Sequence, residues 1–233
     1  MSKESILREH HLTVTYSKEK WDLLRAKRKR AIELLSMFEQ YNPYVYGSVA
    51  RGDVHRDSDI DIIILNDIPS FQIELILEKY GFNNYFREII IATPQDSIRL
   101  YIHLNELECI TLPLTRLERK NLQFYDFGGK VDLKQIKNDI RAIGIDKRLV
   151  MIKPIPKGHK ELSIINNENV VAKEMGINIE FINERKNVLL RRERYGRTGV
   201  FFKRVIDMNE SIEEVLKKIA AKHSIIRKKL YKK

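Results

Sequence analysis

Residues 46–65 read YGSVARGDVHRDSDIDIIIL. The run from Ile60 to Leu65 is apolar apart from Asp61, and Asp59 stands just before it. A β-branched run of this length predicts a strand. Side chains alternate along a strand, so Asp59 and Asp61 share a face. Two adjacent carboxylates at the start of an apolar strand repel each other and resist desolvation. A divalent cation relieves both penalties. Hard oxygen ligands suit Mg²⁺, which one or two carboxylates commonly hold together with phosphate oxygens. Upstream, Tyr44–Tyr46 reads as a short strand ending in Gly47-Ser48. Glycine permits a close backbone approach and serine supplies a donor, so this turn suits a phosphate.

Outward from this stretch the chain reads as short alternating elements. Residues 18–40 predict a helix with Leu24, Ala31, Leu34, Leu35 and Phe38 on one face, ended by Asn42-Pro43. Residues 70–80 predict another, stopped by Gly81, and Glu88–Ala92, Ile98–His103 and Leu107–Leu112 predict strands. Leu133–Ile143 reads as a helix ending at Gly144, Leu149–Ile152 as a strand, and 153–159 as a loop. Ser211 and Glu214 form a capping-box pattern that opens a helix over 211–230. The expected fold is α/β (α+β): a small mixed-sheet domain over 1–120, then a basic, helix-rich, winged-helix-like domain over 121–233.

Charge divides the chain in the same way. Residues 1–114 carry 14 Lys and Arg against 17 Asp and Glu, whereas 115–233 carry 29 against 15. An acidic first half and a strongly basic second half predict two different tasks. With 43% hydrophobic residues, ten glycines and six prolines, disordered and collagen-like classes are excluded. The lone Cys109 excludes a disulfide framework. No apolar run approaches the roughly 20 residues of a membrane span, and the first residues lack an apolar leader segment. The expectation is a soluble, cytoplasmic protein that does not engage membranes.

The pattern of strand, Gly47-Ser48, ten residues, then Asp59-Ile60-Asp61 resembles the DNA polymerase beta-type nucleotidyltransferase superfamily, and Ala50-Arg51-Gly52 matches that family's usual continuation. The resemblance implies Mg²⁺ or Mn²⁺ at Asp59 and Asp61, a nucleoside triphosphate as substrate, and attack of an acceptor hydroxyl on the α-phosphate with loss of pyrophosphate. It also implies a third carboxylate on a neighbouring strand. Glu108 is the first candidate, because an unpaired Glu among apolar neighbours is costly unless a cation or donor meets it. Glu106 comes next, and Asp96 and Glu88 follow. Gly47 and Ser48 are expected at the phosphates. Arg51 either reaches the triphosphate or pairs with Asp53 or Asp57.

Residues 168–187 carry a helix-turn-helix pattern: a small Ala172, Gly176 four positions on, and Ile182 as the anchor of the second helix. The unit is placed near 164–204, with a wing-like hairpin expected after the glycines at 196 and 199. Arg185 stands where an apolar residue is usual. Arg191, Arg192, Arg194 and Arg197 cluster at the end of the second helix, where they would meet DNA or RNA phosphates. The combination resembles archaeal-type predicted nucleotidyltransferases with a Lys157-Gly158-His159-Lys160-Glu161 loop and an Arg-rich helix ending in Gly196-Arg197-Thr198-Gly199. The expected reaction is transfer of a nucleoside monophosphate to a nucleic acid. The alternatives are nucleotidylation of a protein or small molecule, or a nucleic-acid-binding regulator that only senses nucleotides.

Overall fold

The computed structural model describes residues 5–66, 68–196 and 199–231. In chain order the first elements are β1 (His11–Thr15), α1 (Lys18–Met37), β2 (Tyr44–Tyr46), α2 (Ser48–Arg51), β3 (Ile60–Ile63), α3 (Ser70–Lys79), β4 (Phe86–Ile91), β5 (Arg99–Asn105) and β6 (Glu108–Pro113). There follow α4 (Arg119–Gly128), β7 (Lys130–Asp132), α5 (Leu133–Lys137), β8 (Gly144–Ile145), β9 (Val150–Ile155) and β10 (Gly158–Ser163). The last are α6 (Glu168–Met175), α7 (Ile179–Tyr195), β11 (Phe202–Ile206), α8 (Ile212–Lys222) and α9 (Ser224–Leu230). The fold is mixed α/β, and none of the described helices is long and apolar enough to cross a membrane.

The main sheet has seven strands in the order β11-β4-β5-β6-β3-β2-β7. β3 and β6 run parallel, and the other neighbours are antiparallel. Alternation splits the sheet into an apolar and a polar face. Val45, Ile60, Ile62, Ile110, Leu112, Leu100, Ile102, Ile89, Ile91 and Ile206 point to the apolar side, all buried. Against them pack α1, α3 and α8 through Leu34, Leu35, Ile73, Leu77, Val215 and Ile219. Each such side chain contributes about 1.5–3 kcal/mol on full burial. Ser17 caps α1 by accepting from Lys20 N, and Asn42, in the left-handed region at φ 49°, closes the short 3₁₀ turn that follows. The buried Arg28 of α1 donates to the carbonyls of Val49 (3.2 Å), Ile136 (3.4 Å) and Ile140 (2.7 Å), which pins α1 to α2 and α5.

A second, antiparallel sheet, β1-β10-β9-β8, lies with α4, α6 and α7 around a smaller core of Phe127, Ile145, Met151, Ile164, Val171, Phe181 and Ile182. Each sheet draws strands from both halves of the chain. β1 pairs with β10, and β11 pairs with β4.

Four local expectations are corrected. The helix expected over 133–143 stops at Lys137, with Asp139 in the left-handed region at φ 54°. Beyond it, Ala142 N donates to Ala50 O (2.9 Å), and Arg141 donates to Ile155 O (2.6 Å) and Gly158 O (2.9 Å), so this segment is tethered in extended form. Residues 153–159 are not a loop but the tip of the β9–β10 hairpin. The segment after Gly199 makes no wing beside α7. Phe202 and Ile206 share a face that joins the main core, and the strand crosses to β4. The terminal helix breaks at His223, whose backbone is extended.

Candidate active site

β2 and β3 bring the quoted stretch together. Tyr46 is the register partner of Asp61, so Gly47 and Ser48 lie just past the strand end beside the Asp pair. Gly47 has φ 80° and ψ −143°, a conformation open to glycine alone, and open space surrounds the position of a Cβ. Its N–H donates to Gly129 O (2.9 Å). Ser48 opens the single turn of α2. The intervening loop is held by α1, where Lys27 Nζ donates to Ser58 O (2.7 Å) and Lys20 Nζ to Val54 O.

Asp61 projects from the polar face, opposite in sense to its buried neighbours Ile60 and Ile62. Burial in the sheet, followed by the charge of Asp59, pushes its carboxyl up to about 6. The exposed Lys147, in the β8–β9 turn, opposes that rise. Beside Asp61 on β6 stands Cys109, whose thiol burial and the Asp61 charge push up to about 12. Tyr46 stacks on Phe124 (5.8 Å between centroids) and meets Tyr125 edge-on (5.5 Å). Gly128 lets this tyrosine in, because a Cβ there would sit 2.3 Å from the ring.

Glu108, the first candidate for a third carboxylate, does not share the face of the Asp pair. The parallel register sets Glu108 opposite Ile60, on the apolar side of the sheet. Its two oxygens take a bidentate grip from Arg30 of α1, Nε–Oε1 2.7 Å and Nη2–Oε2 2.9 Å. The argument that a buried Glu needs a donor holds, but the donor is a guanidinium. Glu106 sits in the turn before β6, and Asp96 caps its own turn through Thr93 N (3.1 Å). Glu88 is on the polar face, but on β4, three strands from β3. Arg51 is also reassigned. It is buried, grips Asp53 through two hydrogen bonds (3.0 and 2.9 Å) and donates to Gly128 O (2.6 Å), so it braces the loop rather than reaching out.

Residues 168–195 form two helices, α6 and α7, joined by a short turn. Gly176 makes that turn at φ 65°, Asn178 caps α7 by accepting from Glu180 N (2.8 Å), and Val171 and Ile182 are fully buried. Phe181 meets Phe127 of α4 edge-on at 6.1 Å. Arg185 fits because its guanidinium lies over the Phe124 ring at 5.0 Å, beside Tyr46. Arg191, Arg192 and Arg194 are exposed and form no ion pair among the described residues. Arg197 lies outside the described residues. Sequence reading missed Lys147 as a neighbour of Asp61 and Arg185 as a neighbour of Tyr46. Only the tertiary approach of the β8–β9 turn and of α7 brings them there.

The family model for the nucleotidyltransferase domain matches residues 27–167. That span is more than half of the chain. The chain belongs to the nucleotidyltransferase domain family. The matched nucleotidyltransferase span runs from within α1 past β10, so it takes in the Asp pair, the Gly47-Ser48 turn and the β8–β9 turn, and stops short of α6 and α7. The activity that follows is nucleotidyl transfer from a nucleoside triphosphate. Neither the curated proteins nor the solved structures gave a match.

Buried cluster beneath the hairpin

His159 and Glu161 of the β9–β10 hairpin bond to groups around β1 and the β8–β9 turn. Tyr16 Oη donates to Gly52 O (2.9 Å) and contacts His159 Nδ1 (2.6 Å). Glu161 accepts from Arg148 (2.8 Å), from His10 and from His159 (3.2 Å). Although burial opposes it, these hydrogen bonds, with the Arg148 charge, hold its carboxyl down at about 2. The cluster ties the small sheet to the Gly47–Asp53 loop.

Proposed function

We propose that the protein moves a nucleoside monophosphate from a nucleoside triphosphate to a hydroxyl of a nucleic acid, with Mg²⁺ or Mn²⁺ held by Asp59 and Asp61. The observation that carries this is the Asp pair itself. Asp61 is raised to about 6 by burial and by Asp59, so the pair stores a repulsion that a cation relieves. Two hard carboxylates fit such an ion when substrate phosphates complete its shell. Among the described residues no three His, Cys, Asp or Glu side chains cluster as ligands, which favours a site shared with substrate over a protein-only cage. When bound, the ion polarises the α-phosphate.

The chain's own groups then have distinct tasks. Gly47 and Ser48 offer backbone and hydroxyl donors to the phosphates beside Asp61. Lys147 supplies an exposed positive charge where negative charge gathers. The acceptor hydroxyl attacks phosphorus as pyrophosphate departs. Arg191, Arg192 and Arg194 of α7, with Arg197 beyond it in sequence, hold acceptor phosphates, and Arg185 of the same helix adjoins Tyr46. The helix-turn-helix thus serves as the acceptor arm.

The test is incubation with each α-labelled nucleoside triphosphate, Mg²⁺ or Mn²⁺, and RNA, DNA or protein. Label on RNA or DNA, lost in Asp59→Ala and Asp61→Ala, supports the reading. Label on protein or a small molecule moves the acceptor to that class. Full activity in either Asp variant overturns the assignment of the pair.

A further inference from the structure

We propose that His103, oriented by Glu88, is the general base that takes the proton from the acceptor hydroxyl. This rests on the transfer reading above. Register partners form one line across the polar face: Tyr46, Asp61, Cys109, His103 and Phe86. Two strand spacings, about 10 Å, separate the backbones at Asp61 and His103. Both side chains stand on the same side of the sheet. In this proposal the phosphoryl group and the hydroxyl that attacks it lie over the face between them.

Cys109, between the two, is held as a thiol and does not serve as the base. His103 does fit. Its side chain is 35% exposed, whereas that of Glu88 is 7% exposed. Glu88 Oε1 lies 3.2 Å from His103 Nε2, and Lys203 Nζ lies 2.5 Å from Glu88 Oε2. The Glu88 carboxylate accepts a hydrogen bond from Nε2–H, which leaves Nδ1 as the basic nitrogen. Tyr101 of the same strand stacks alongside at 6.4 Å and Phe86 of β4 tilts toward the ring at 5.7 Å. Glu88, Lys203, Tyr101 and Cys109 are the titratable or charged groups facing it from β4, β11, β5 and β6.

In the step, the hydroxyl proton passes to Nδ1 while its oxygen bonds to the α-phosphorus. The bond from that phosphorus to the bridging oxygen breaks, and pyrophosphate leaves with the electron pair. His103 then returns the proton to solvent. A purely structural role is the alternative, with Glu88 clamping β4, β5 and β11 together. The two roles differ in measurable ways.

His103→Ala should lower kcat by about 100-fold or more with the KM for the triphosphate unchanged. Added imidazole should restore part of the rate, and the melting temperature should hold. Glu88→Gln, the positioning variant, should lower kcat less and show no imidazole rescue. Nitrogen-15 spectra of the full chain at pH 8 should find His103 neutral, with the proton on Nε2, and Glu88→Gln should loosen that preference. Turnover of His103→Ala at the wild-type level while Asp61→Asn is dead overturns the proposal and leaves the transfer reading standing. So does a lower melting temperature with no imidazole rescue. An imidazolium, or a proton on Nδ1, at pH 8 overturns it whatever the acceptor proves to be. If the wild-type chain transfers to no acceptor tried, the transfer reading fails instead, and the nitrogen-15 result still decides whether His103 has a free base.

Discussion

Glu108→Gln separates a structural carboxylate from a catalytic one. In the wild type, Arg30 holds Glu108 through two hydrogen bonds of 2.7 and 2.9 Å, and the side chains are 37% and 10% exposed. Breaking a sealed pair costs about 3–5 kcal/mol, and breaking a solvated one about 0–1 kcal/mol. Arg30 is partly in water and keeps Glu33 at 3.0 Å, so it does not become an orphan. The expected loss is therefore between the limits, about 2 kcal/mol. For a chain of this size each kcal/mol moves the midpoint by about 2–4 °C, which gives a drop of about 4–8 °C. Arg30→Met combined with Glu108→Leu should recover most of it, because neither partner is then left alone. Thermal melts of the three variants measure this. Transfer of labelled nucleotide by Glu108→Gln should stay within about twofold of wild type, a change of only about 0.4 kcal/mol in the barrier. Asp61→Asn should show the reverse pattern, with transfer lost and the fold kept. A Glu108→Gln protein with the wild-type midpoint and transfer down by more than about 100-fold would falsify the placement of Glu108 outside the site.

Three further outcomes are expected. Glu161, held at about 2 in the fold, stabilises the protein above the ordinary carboxylate range and loses that contribution as pH falls from about 4.5 toward 2. Acid titration of Glu161→Gln should lack this part of the decline, and an unchanged acid limb would remove the cluster from the stability account. Gly128→Ala places a methyl group against the Tyr46 ring, so turnover should fall through displacement of the neighbour of Asp61. Equal kinetics in wild type and variant would show that Tyr46 does not position the pair. Arg191→Ala with Arg194→Ala should reduce the log–log salt slope of nucleic-acid binding by about 1–2 units while triphosphate binding holds. Anisotropy at several salt concentrations reads both, and an unaltered slope would take α7 out of the acceptor path.

The polar and apolar faces of β3 were legible because alternation within one strand is a local property. So were α1, β2, α3 and the turn at Gly176. What the sequence could not supply was register between strands. Glu108 shares parity with Ile110 and Leu112, yet parity alone does not say which side of the sheet it joins. The parallel pairing of β3 and β6 decides that, by setting Glu108 opposite Ile60. Pro154 and Pro156 made 153–159 look like a loop. β8 begins at Gly144, opposite Ile152, so beyond Ile152 one flank of β9 is open and a proline lacking an N–H costs no ladder bond there. Lys147, Arg185 and His103 carry no local signal at all, since each reaches the site from a distant element or across two strands.

The pairing of β11 with β4 has a consequence for synthesis. The edge of β4, ending at Ile91, has to wait for Phe202 and the residues after it. At about 5–20 residues per second, the 110 or so residues between them take about 6–22 seconds to emerge. During that interval a strand of Phe86, Ile89, Ile90 and Ile91 presents unmatched backbone groups to any neighbour on the polysome. Arg87 and Glu88 interrupt it, a charged pair in the middle of an otherwise sticky edge. Once β11 arrives, those same two residues are covered, Arg87 by the carbonyls of Asp207 and Glu210 and Glu88 by Lys203. The charges that keep the nascent chain from associating with its neighbours become the docking points of its last strand.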